Sequence, residues 1–409
     1  MIMSTELLTT AVDCFWLFFG GVLVFFMQTG FTMVEAGFTR SKNTGNIIMK
    51  NIVDFMFGSI IYWFIGYGLM YGEGNGFIGI PFGDMFMNGM AGAENMDYTA
   101  LFFQTVFCAT SATIVSGAMA ERTNFKAYCI YSAAISLFIY PIAGHWVWGG
   151  GFLMEMGAVD FAGGTVVHVN AGVAALVMAL MVGRRKDYRA DRPITPHNIP
   201  FVFLGTALLW LGWFGFNAGS GLAADGLAAN AFLVTHIATC MAAVTWAAID
   251  WVVNKKCTTV GACTGAVAGL VAITPAAGSV DLVGALFIGL ITSAVCFWMV
   301  AVVKPKFGYD DALDAFGVHG VGGIIGSVLT GVFATQFVTG EGGVQGALYG
   351  DWNQLWIQIA ATVISMVFSA VMTFVLFKVV DKLVGIRVDK RVEEEGLDIY
   401  EHGESAYDL

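Results

Sequence analysis

Two histidines inside strongly apolar segments, His168 and His319, are the residues of this sequence best suited to chemistry. Each lies eight residues after an aspartate, Asp160 in one segment and Asp311 in the other. If the aspartates mark helix ends at opposite faces of a membrane, eight helical residues place each imidazole about 12 Å from its own face. In an apolar core about 30 Å thick, both histidines then lie near the middle, at depths that differ by roughly 6 Å. Contact between the two side chains is therefore within reach.

A pair of neutral imidazoles at this depth can act as a proton relay, since one ring accepts a proton while the other releases one. Titratable groups are costly inside a membrane and are usually functional. Neutral imidazole is the least costly of them, because burial favours its uncharged form. The alternative is that each ring only binds a neighbouring carbonyl or hydroxyl group. Mirrored placement favours the relay for His168 and His319, whereas His236 has no counterpart and is interpreted as structural.

The composition indicates that membrane helices hold these residues. Of the 409 residues, 57% are hydrophobic and 12% are charged, whereas about a quarter of the residues of a soluble domain are charged. A span needs about 20 apolar residues, so the apolar runs predict an all-α polytopic membrane protein with eleven transmembrane helices and no separate soluble domain. The predicted spans are 12–38, 47–71, 98–120, 126–143, 161–182, 198–219, 228–252, 260–274, 281–303, 312–337 and 353–380.

The basic residues predict the orientation of these spans. All 19 lysines and arginines follow spans 1, 3, 5, 7, 9 or 11. Positive charge marks the cytoplasmic face, so we expect an external N-terminus and a cytoplasmic C-terminus in the cell membrane. The N-terminal residues 1–13 carry no basic residue, which favours a retained first span over a signal peptide. Acidic residues in the opposite loops make the outer face negative, which raises the local concentration of cations.

Spans 1–5 and spans 6–10 form two sets of five. Because five is odd, the second set enters the membrane from the opposite side, which predicts an inverted repeat. Residues 12–182 form the first half and residues 198–337 the second, and residues 353–380 form an additional helix. Together they make a transmembrane domain over 1–380, followed by a cytoplasmic tail over 381–409. The shared Asp–His spacing of spans 5 and 10, and a shared Gly–Phe spacing in spans 1 and 6, support the repeat.

Aromatic side chains cluster near the predicted outer end of span 4, where HWVWGGG carries Trp146 and Trp148. Aromatic faces attract cations, most strongly when desolvated, although Trp is also common in interfacial belts. Other aromatic residues of spans 3 and 6 either line a pore or fill the core, and helical spacing does not decide between the two. These residues are Phe102, Phe103, Phe107, Trp213, Phe214 and Phe216.

Two acidic residues near span ends have structural interpretations. Asp160 comes before Gly163-Gly164-Thr165 at the start of a span, where a carboxylate binds free N–H groups and suits the helix dipole. Glu35 lies toward the inner end of span 1, and we expect it to pair with a nearby base. The seven cysteines are scattered without metal-ligand spacing, so the sequence predicts no disulfide, metal or cofactor.

Four segments resemble signature sequences of the ammonium transporter (Amt/Mep/Rh) superfamily, in particular its bacterial and archaeal Amt members. They are VWGGG (147–151), DFAGGTVVHVNAG (160–172), GWFGFNAGS (212–220) and FGVHGVGG (316–323). AGFTRSKN, ERTNF and, in the tail, GLDIYEHGESAY match as well, so the resemblance covers nearly the whole chain. It implies an ammonium transporter, not an enzyme, that assembles as a homotrimer with one pore in each subunit.

The resemblance also implies roles for individual residues. They are Trp148, Phe107, Phe103 and Ser220 at an outer recruitment site, with Asp160 as its structural support; Phe107, Phe216, Trp213 and Thr274 along the pore; and His168 and His319 in the proton relay. The tail is similar to the segment through which such proteins communicate with a PII-type regulatory protein.

We therefore expect the chain to recruit NH4+ at the outer face, to deprotonate it, and to conduct NH3 through an apolar pore while the proton follows the twin histidines. Potassium is similar in size but has no proton to lose, which gives selectivity. Three alternatives stay open: an ammonium sensor with little transport, an electroneutral NH3 channel of the Rh type, and a bis-histidine haem protein. The sequence around the histidines opposes the haem protein, and measured current and flux separate the others.

Overall fold

The computed structural model describes residues 5–80, 95–190 and 194–408. Arg192 of the basic set, and Asp84 and Glu94 of the acidic outer loops, lie outside the described residues. Within the described ranges, regular structure is helical apart from one two-stranded antiparallel hairpin, which pairs β1 (Gly74–Asn75) with β2 (Ile78–Gly79). The prediction of an all-α protein is confirmed.

In the described part of the chain, ten helices are long and apolar enough to cross a membrane, and an additional apolar helix, α8, is shorter. The helices are α1 (Thr5–Phe38), α2 (Ser41–Tyr71), α3 (Asp97–Ala118), α4 (Phe125–Glu155), α5 (Gly164–Val182), α6 (Ile199–Gly219), α7 (Gly226–Asn254), α8 (Thr259–Ile273), α9 (Leu282–Phe307), α10 (Phe316–Phe333) and α11 (Trp352–Val384). The polytopic membrane class is therefore confirmed, while the count of eleven crossings and their orientation stay predictions.

Several helices extend beyond the predicted spans, among them α1 and α4. α1 begins at Thr5. The continuous part of α4 reaches Trp148, although the apolar run suggested an end at 143, and a short helical turn, Phe152–Glu155, follows after a break at residues 149–151. Hydropathy reports the apolar stretch alone, whereas α4 is prolonged by polar contacts that its last turns make with the hairpin. The ring nitrogens of His145 lie 2.8 and 2.7 Å from the carbonyl oxygens of Met70 and Asn75, and Trp146 donates to the Phe77 carbonyl.

Capping side chains set where several helices begin. A side-chain oxygen that accepts a hydrogen bond from a backbone N–H of the first turn satisfies a group that has no partner inside the helix. At the predicted outer face this acceptor is an aspartate, and at the inner face it is an asparagine or threonine. The residues are Asn124, Asn198, Asp225, Thr258, Asp281 and Asp351. Part of the negative charge of the outer loops therefore has a structural role.

The centre of the molecule is built from helices that approach at backbone distance. α1 and α6 make the most extensive helix–helix contact, and glycines bring them together: a Cβ on Gly205 would lie 2.4 Å from the Val34 nitrogen, and one on Gly215 would lie 2.6 Å from the Gly20 carbonyl oxygen. α5 and α10 meet in the same way. These pairs join corresponding spans of the two predicted halves.

The C-terminal tail folds back on the predicted cytoplasmic ends of the helices. It contains α12 (Lys390–Glu395) and a π-helical turn over Asp398–His402. The Asp398 carboxylate accepts hydrogen bonds from the backbone N–H groups of Gly45 and Asn46, at 2.9 and 2.8 Å. The tail thus caps the start of α2.

Candidate functional site

The imidazole rings of His168 and His319 are in direct contact. Their Nδ1 atoms lie 3.3 Å apart, and the ring planes differ by 24°. One Nδ1 must donate and the other accept, so in a neutral pair the two Nε2 atoms have opposite roles, one as acceptor and one as donor. His168 is fully buried, and its Nε2 has no hydrogen-bond partner among the described residues, whereas His319 is 8% exposed.

The histidine contact depends on glycines where α5 and α10 cross. A Cβ on Gly172 would lie 2.2 Å from the Gly320 nitrogen, and one on Gly323 would lie 3.1 Å from Cβ of His168. Each histidine also lies in a π-helical turn at the start of its helix, over Gly164–Val169 and Phe316–Gly320. Four further π-helical turns occur elsewhere in the described residues, so such a turn does not by itself mark a functional site in this chain. The local backbone therefore brings together two rings that the sequence placed only at similar depth.

Two aspartates bind the first turns of these helices. The Asp160 carboxylate accepts hydrogen bonds from the backbone N–H groups of residues 163–166 and from the Thr165 hydroxyl. Asp311 accepts from the N–H groups of Ala315 and Phe316. Both carboxylates thus lie at helix N-termini, where the backbone dipole favours negative charge, and both fix the turn that carries a histidine.

A line of aromatic rings leads from the predicted outer face to His168. Phe107 and Phe216 are stacked with ring centroids 4.0 Å apart and planes at 17°. Phe107 also packs against Phe103 at 4.6 Å and against Trp148 at 6.4 Å. Phe216 lies 5.7 Å from the His168 ring. Because Phe107 and Phe216 are 1% and 0% exposed, their stacked rings separate the half-buried Trp148 from the histidines.

Hydrogen bonds fix the orientation of the polar groups along this line. The Trp148 indole donates to the Asp160 carbonyl oxygen at 2.7 Å. The Ser220 hydroxyl donates to the Phe216 carbonyl oxygen at 2.8 Å, which leaves the Ser220 oxygen free to accept.

Trp213 lies beside the histidine pair. Its ring is stacked on His168 at 5.2 Å with planes at 13°, and its indole donates to the Thr274 hydroxyl at 2.9 Å. Thr274 in turn donates to the Leu270 carbonyl oxygen. The Trp213 ring is therefore held flat against the imidazole.

A small cavity of about 60 Å³, open at its mouth, lies on the other side of the pair. It is lined mainly by apolar side chains, among them Phe31, whose ring is 5.9 Å from that of His319. His319 itself, Glu35, Asp314 and Cys263 are the titratable residues in its wall. The histidine pair thus closes a cavity on one side and faces aromatic rings on the other.

Some candidate residues lie away from this line. Phe102 packs against Phe18 on α1, and Phe214 stacks on Phe232 at 4.0 Å. His236 is exposed on α7, 3.6 Å from the sulfur of Cys240. Helical spacing could not separate Phe102 and Phe214 from Phe107 and Phe216, because the choice depends on where each neighbouring helix packs.

The charge of the nearby base Lys50 acts on Glu35, but the expected pairing is not a direct ion pair within the described residues. The Glu35 carboxylate accepts hydrogen bonds from the Ser116 hydroxyl and, at 2.8 Å, from the Asn51 amide. Sequence analysis missed both partners, although polar residues inside apolar spans were the available signal. The same signal marks a second carboxylate, Asp54, which accepts hydrogen bonds from three further side chains, Gln28, Thr113 and Tyr128.

Ion pairs join the loops at the predicted cytoplasmic face. Arg185 contacts Glu121 at 3.1 Å and Asp310 at 2.8 Å, and Arg40 contacts Glu121 at 2.9 Å. Burial opposes ionisation of Glu121, but the guanidinium groups of Arg185 and Arg40 outweigh it and hold the pKa of that carboxyl below its ordinary value. Burial also raises the pKa of the Asp310 carboxyl, but the contact with Arg185 outweighs it, so that this pKa too lies below its ordinary value.

The pattern of this chain matches the family model described as "Ammonium Transporter Family" over residues 15–407. An ammonium transporter of Aquifex aeolicus is 47% identical over 96% of this chain and 93% of its own length, and one of Bacillus subtilis is 43% identical over 97% and 98%. Among solved structures, one titled "Sensor Amt Protein" has a TM-score of 0.91 with 35% identity, covering 97% of this chain and all of its own. Candida albicans Mep2 has a TM-score of 0.89 with 31% identity, covering 97% and 90%.

Proposed function

This chain belongs to the ammonium transporter family, and we propose that it moves ammonium across the cell membrane by separating each NH4+ into NH3 and a proton. The neutral molecule crosses an apolar passage, the proton crosses along His168 and His319, and net charge is transported. The observation that carries the proposal is the 3.3 Å contact between the two Nδ1 atoms inside the protein core.

Recruitment takes place at Trp148, Phe107, Phe103 and Ser220. The faces of aromatic rings attract a cation, and the free acceptor position on Ser220 replaces part of its water. Asp160 supports this site indirectly, because its carbonyl oxygen holds the Trp148 indole and its carboxylate fixes the first turn of α5. The acidic outer loops raise the local concentration of ammonium.

Deprotonation takes place at the Phe107–Phe216 pair, since a bare cation is costly in apolar surroundings. The proton is taken up by His168, whose ring lies 5.7 Å from that of Phe216. NH3 then meets Trp213, Thr274 and the histidine rings. The Nε2 atom of His168 has no partner in the described part of the chain, so it is free to exchange a hydrogen bond with a passing nitrogen. Potassium is stopped at the same point because it cannot lose its charge.

The hydrogen bond between the rings gives the proton its route. A proton taken up by one imidazole displaces the shared proton toward the other, which releases its own on the far side. Haem ligation by these two nitrogens does not fit the geometry, because two metal–nitrogen bonds of about 2 Å each need a wider gap than the 3.3 Å observed.

The test is the ammonium-dependent current of His168→Ala in proteoliposomes on a supported membrane. We expect the current to fall by about 100-fold or more, the scale of a lost proton-transfer group. His236→Ala is the matched control, since it removes a histidine from a membrane helix but away from the aromatic line. Currents of wild-type size in His168→Ala would overturn the relay.

A sensor is the second candidate, because one of the solved structures similar to this chain carries that title. A sensor would bind ammonium and show little flux. Trimeric assembly and contact of the tail with a PII-type protein are proposed from the family resemblance, and the docked position of the tail on α2 supports a regulatory role.

A further inference from the structure

Glu35 is a membrane-embedded carboxylate that faces the same cavity as His319. It is 5% exposed, and its oxygens accept hydrogen bonds from Ser116 on α3 and Asn51 on α2. Two neutral donors hold the carboxylate in place without neutralising it. Ionisable residues at such positions are costly, and they usually mark a path for ions or protons.

The surroundings distinguish Glu35 from the other acidic groups nearby. Asp54 is fully buried, is surrounded by its own donors, and is not among the residues of the cavity wall. Asp314 lies in the wall but is paired with Lys304 at 2.5 Å. Lys50 on α2 is the basic residue whose charge acts on Glu35, and its Nζ has no hydrogen-bond partner in the described ranges. Of the two carboxylates in the cavity wall, Glu35 is thus the one that forms no direct ion pair within the described residues.

We propose that Glu35 receives the proton that leaves His319 and returns it to ammonia in the inner cavity, so that ammonium is re-formed there. This role rests on the proposed separation of NH3 and proton at the histidine pair. The His319 imidazolium gives up an N–H proton, and the Glu35 carboxylate becomes a carboxylic acid. The acid then gives that proton to the lone pair of NH3, which yields NH4+ and restores the carboxylate. NH3 and one proton enter the cavity, and one NH4+ leaves it.

The experiment compares wild type, Glu35→Gln, Glu35→Asp and Asp54→Asn by ammonium-dependent current, with the cavity-side solution buffered between about pH 5 and pH 8. Gln matches Glu in size and can keep both neighbours, by accepting from Asn51 and donating to Ser116. Asp keeps the carboxylate. Asp54→Asn neutralises another buried carboxylate, one that does not face the cavity. The groups that surround Glu35 and titrate or carry charge are Lys50, Asp54, Asp314, His319 and Cys263.

We expect Glu35→Gln to lower the current about 100-fold at neutral or alkaline pH. The difference in current between Glu35→Gln and wild type becomes smaller toward acid pH. There the wild-type Glu35 is already protonated and, like Gln, cannot accept a proton. Glu35→Asp recovers most of the current and the pH response, and Asp54→Asn keeps the wild-type pH response.

Three results overturn the role of Glu35. A wild-type current in Glu35→Gln shows that the carboxylate is not needed, while the histidine relay stands. The same deficit in Asp54→Asn shows a general effect of charge. A wild type without ammonium current removes the relay, and the role of Glu35 falls with it.

Discussion

At the scale of single residues, the Asp160 carboxylate accepts an unusually large number of hydrogen bonds at the start of α5. It accepts from four backbone N–H groups and one hydroxyl. A helix begins with four N–H groups that lack partners inside it, so this one carboxylate satisfies the whole first turn of α5. The position of His168 follows from that turn.

We expect Asp160→Ala to lower the free energy of unfolding by about 3 kcal/mol, because several buried donors lose their acceptor together. Thermal unfolding in detergent measures the loss. Asp281→Ala is the control, since Asp281 caps α9 through one N–H bond, to Gly284, and such a cap is worth about 1 kcal/mol. Equal shifts in the two variants would show that the extra bonds of Asp160 carry no stability.

The sequence predicts the types of the site residues better than their contacts. The Asp–His spacing placed both histidines near mid-depth, but their 3.3 Å separation depends on how closely α5 and α10 cross. The aromatic residues of spans 3 and 6 were equivalent by spacing, although Phe107 and Phe216 stack at the centre while Phe102 and Phe214 face other helices. Glu35 was recognised as unusual, but its partners lie on two other helices.

At the scale of helices, the crossing of α5 and α10 is the feature that the proposed function depends on most. Gly172 and Gly320 meet at backbone distance, and the π-helical turns next to them turn both imidazoles toward each other. Small residues let membrane helices approach closely. Here the close approach also sets the distance between two reactive groups.

Gly172→Ala should push the two helices apart and lower stability by about 2 kcal/mol, as overpacking of a tight core does. The current should fall with it, since the histidine contact lengthens. Thermal unfolding and current are the two measurements. Gly226→Ala is the matched control, because a Cβ there meets nothing within 4 Å. An unchanged current in Gly172→Ala would contradict the link between this crossing and the relay.

Helix positions were largely readable from hydropathy. The ends of α1 and α4 were not, because hydropathy does not report helix that continues past the apolar core. The π-helical turns were not predicted either, since they arise from packing between helices and have no periodicity of their own in so short a segment.

At the scale of the whole molecule, the ion cluster at the predicted cytoplasmic face joins the loops after α1, α3, α5 and α9. Glu121 lies between Arg40 and Arg185, and Asp310 binds the other side of Arg185. A carboxyl whose pKa is lowered by folding contributes stability above its ordinary pKa, and this contribution is lost as the pH falls through that value toward the folded pKa. For Glu121 the ordinary value is 4.5.

We therefore expect the midpoint of thermal unfolding to drop as the pH falls below the Glu121 ordinary pKa of 4.5. Glu121→Gln should be less stable at neutral pH and should show a shallower drop in acid. Glu395→Gln, which breaks the exposed pair with Arg391, should follow the wild-type curve. A Glu121→Gln curve parallel to that of wild type would show that the cluster does not contribute to acid unfolding.

The charge distribution of the chain suits the transport of a cation that changes its charge on the way. Acidic loops face the predicted outer side, the passage between them and the histidines is lined by aromatic rings, and all 19 basic residues are predicted on the inner side. This arrangement attracts ammonium and potassium alike, so selectivity has to arise inside, where only ammonium can give up a proton.

The most direct measurement is charge movement by the wild-type protein in proteoliposomes on a supported membrane, pulsed first with ammonium and then with potassium. The proposed mechanism predicts a transient current with each ammonium pulse and none with potassium. Equal currents would mean that the bare cation crosses, which contradicts deprotonation. Ammonium binding without current would contradict electrogenic transport and would leave the sensor, or a neutral NH3 channel, to be separated by ammonia flux.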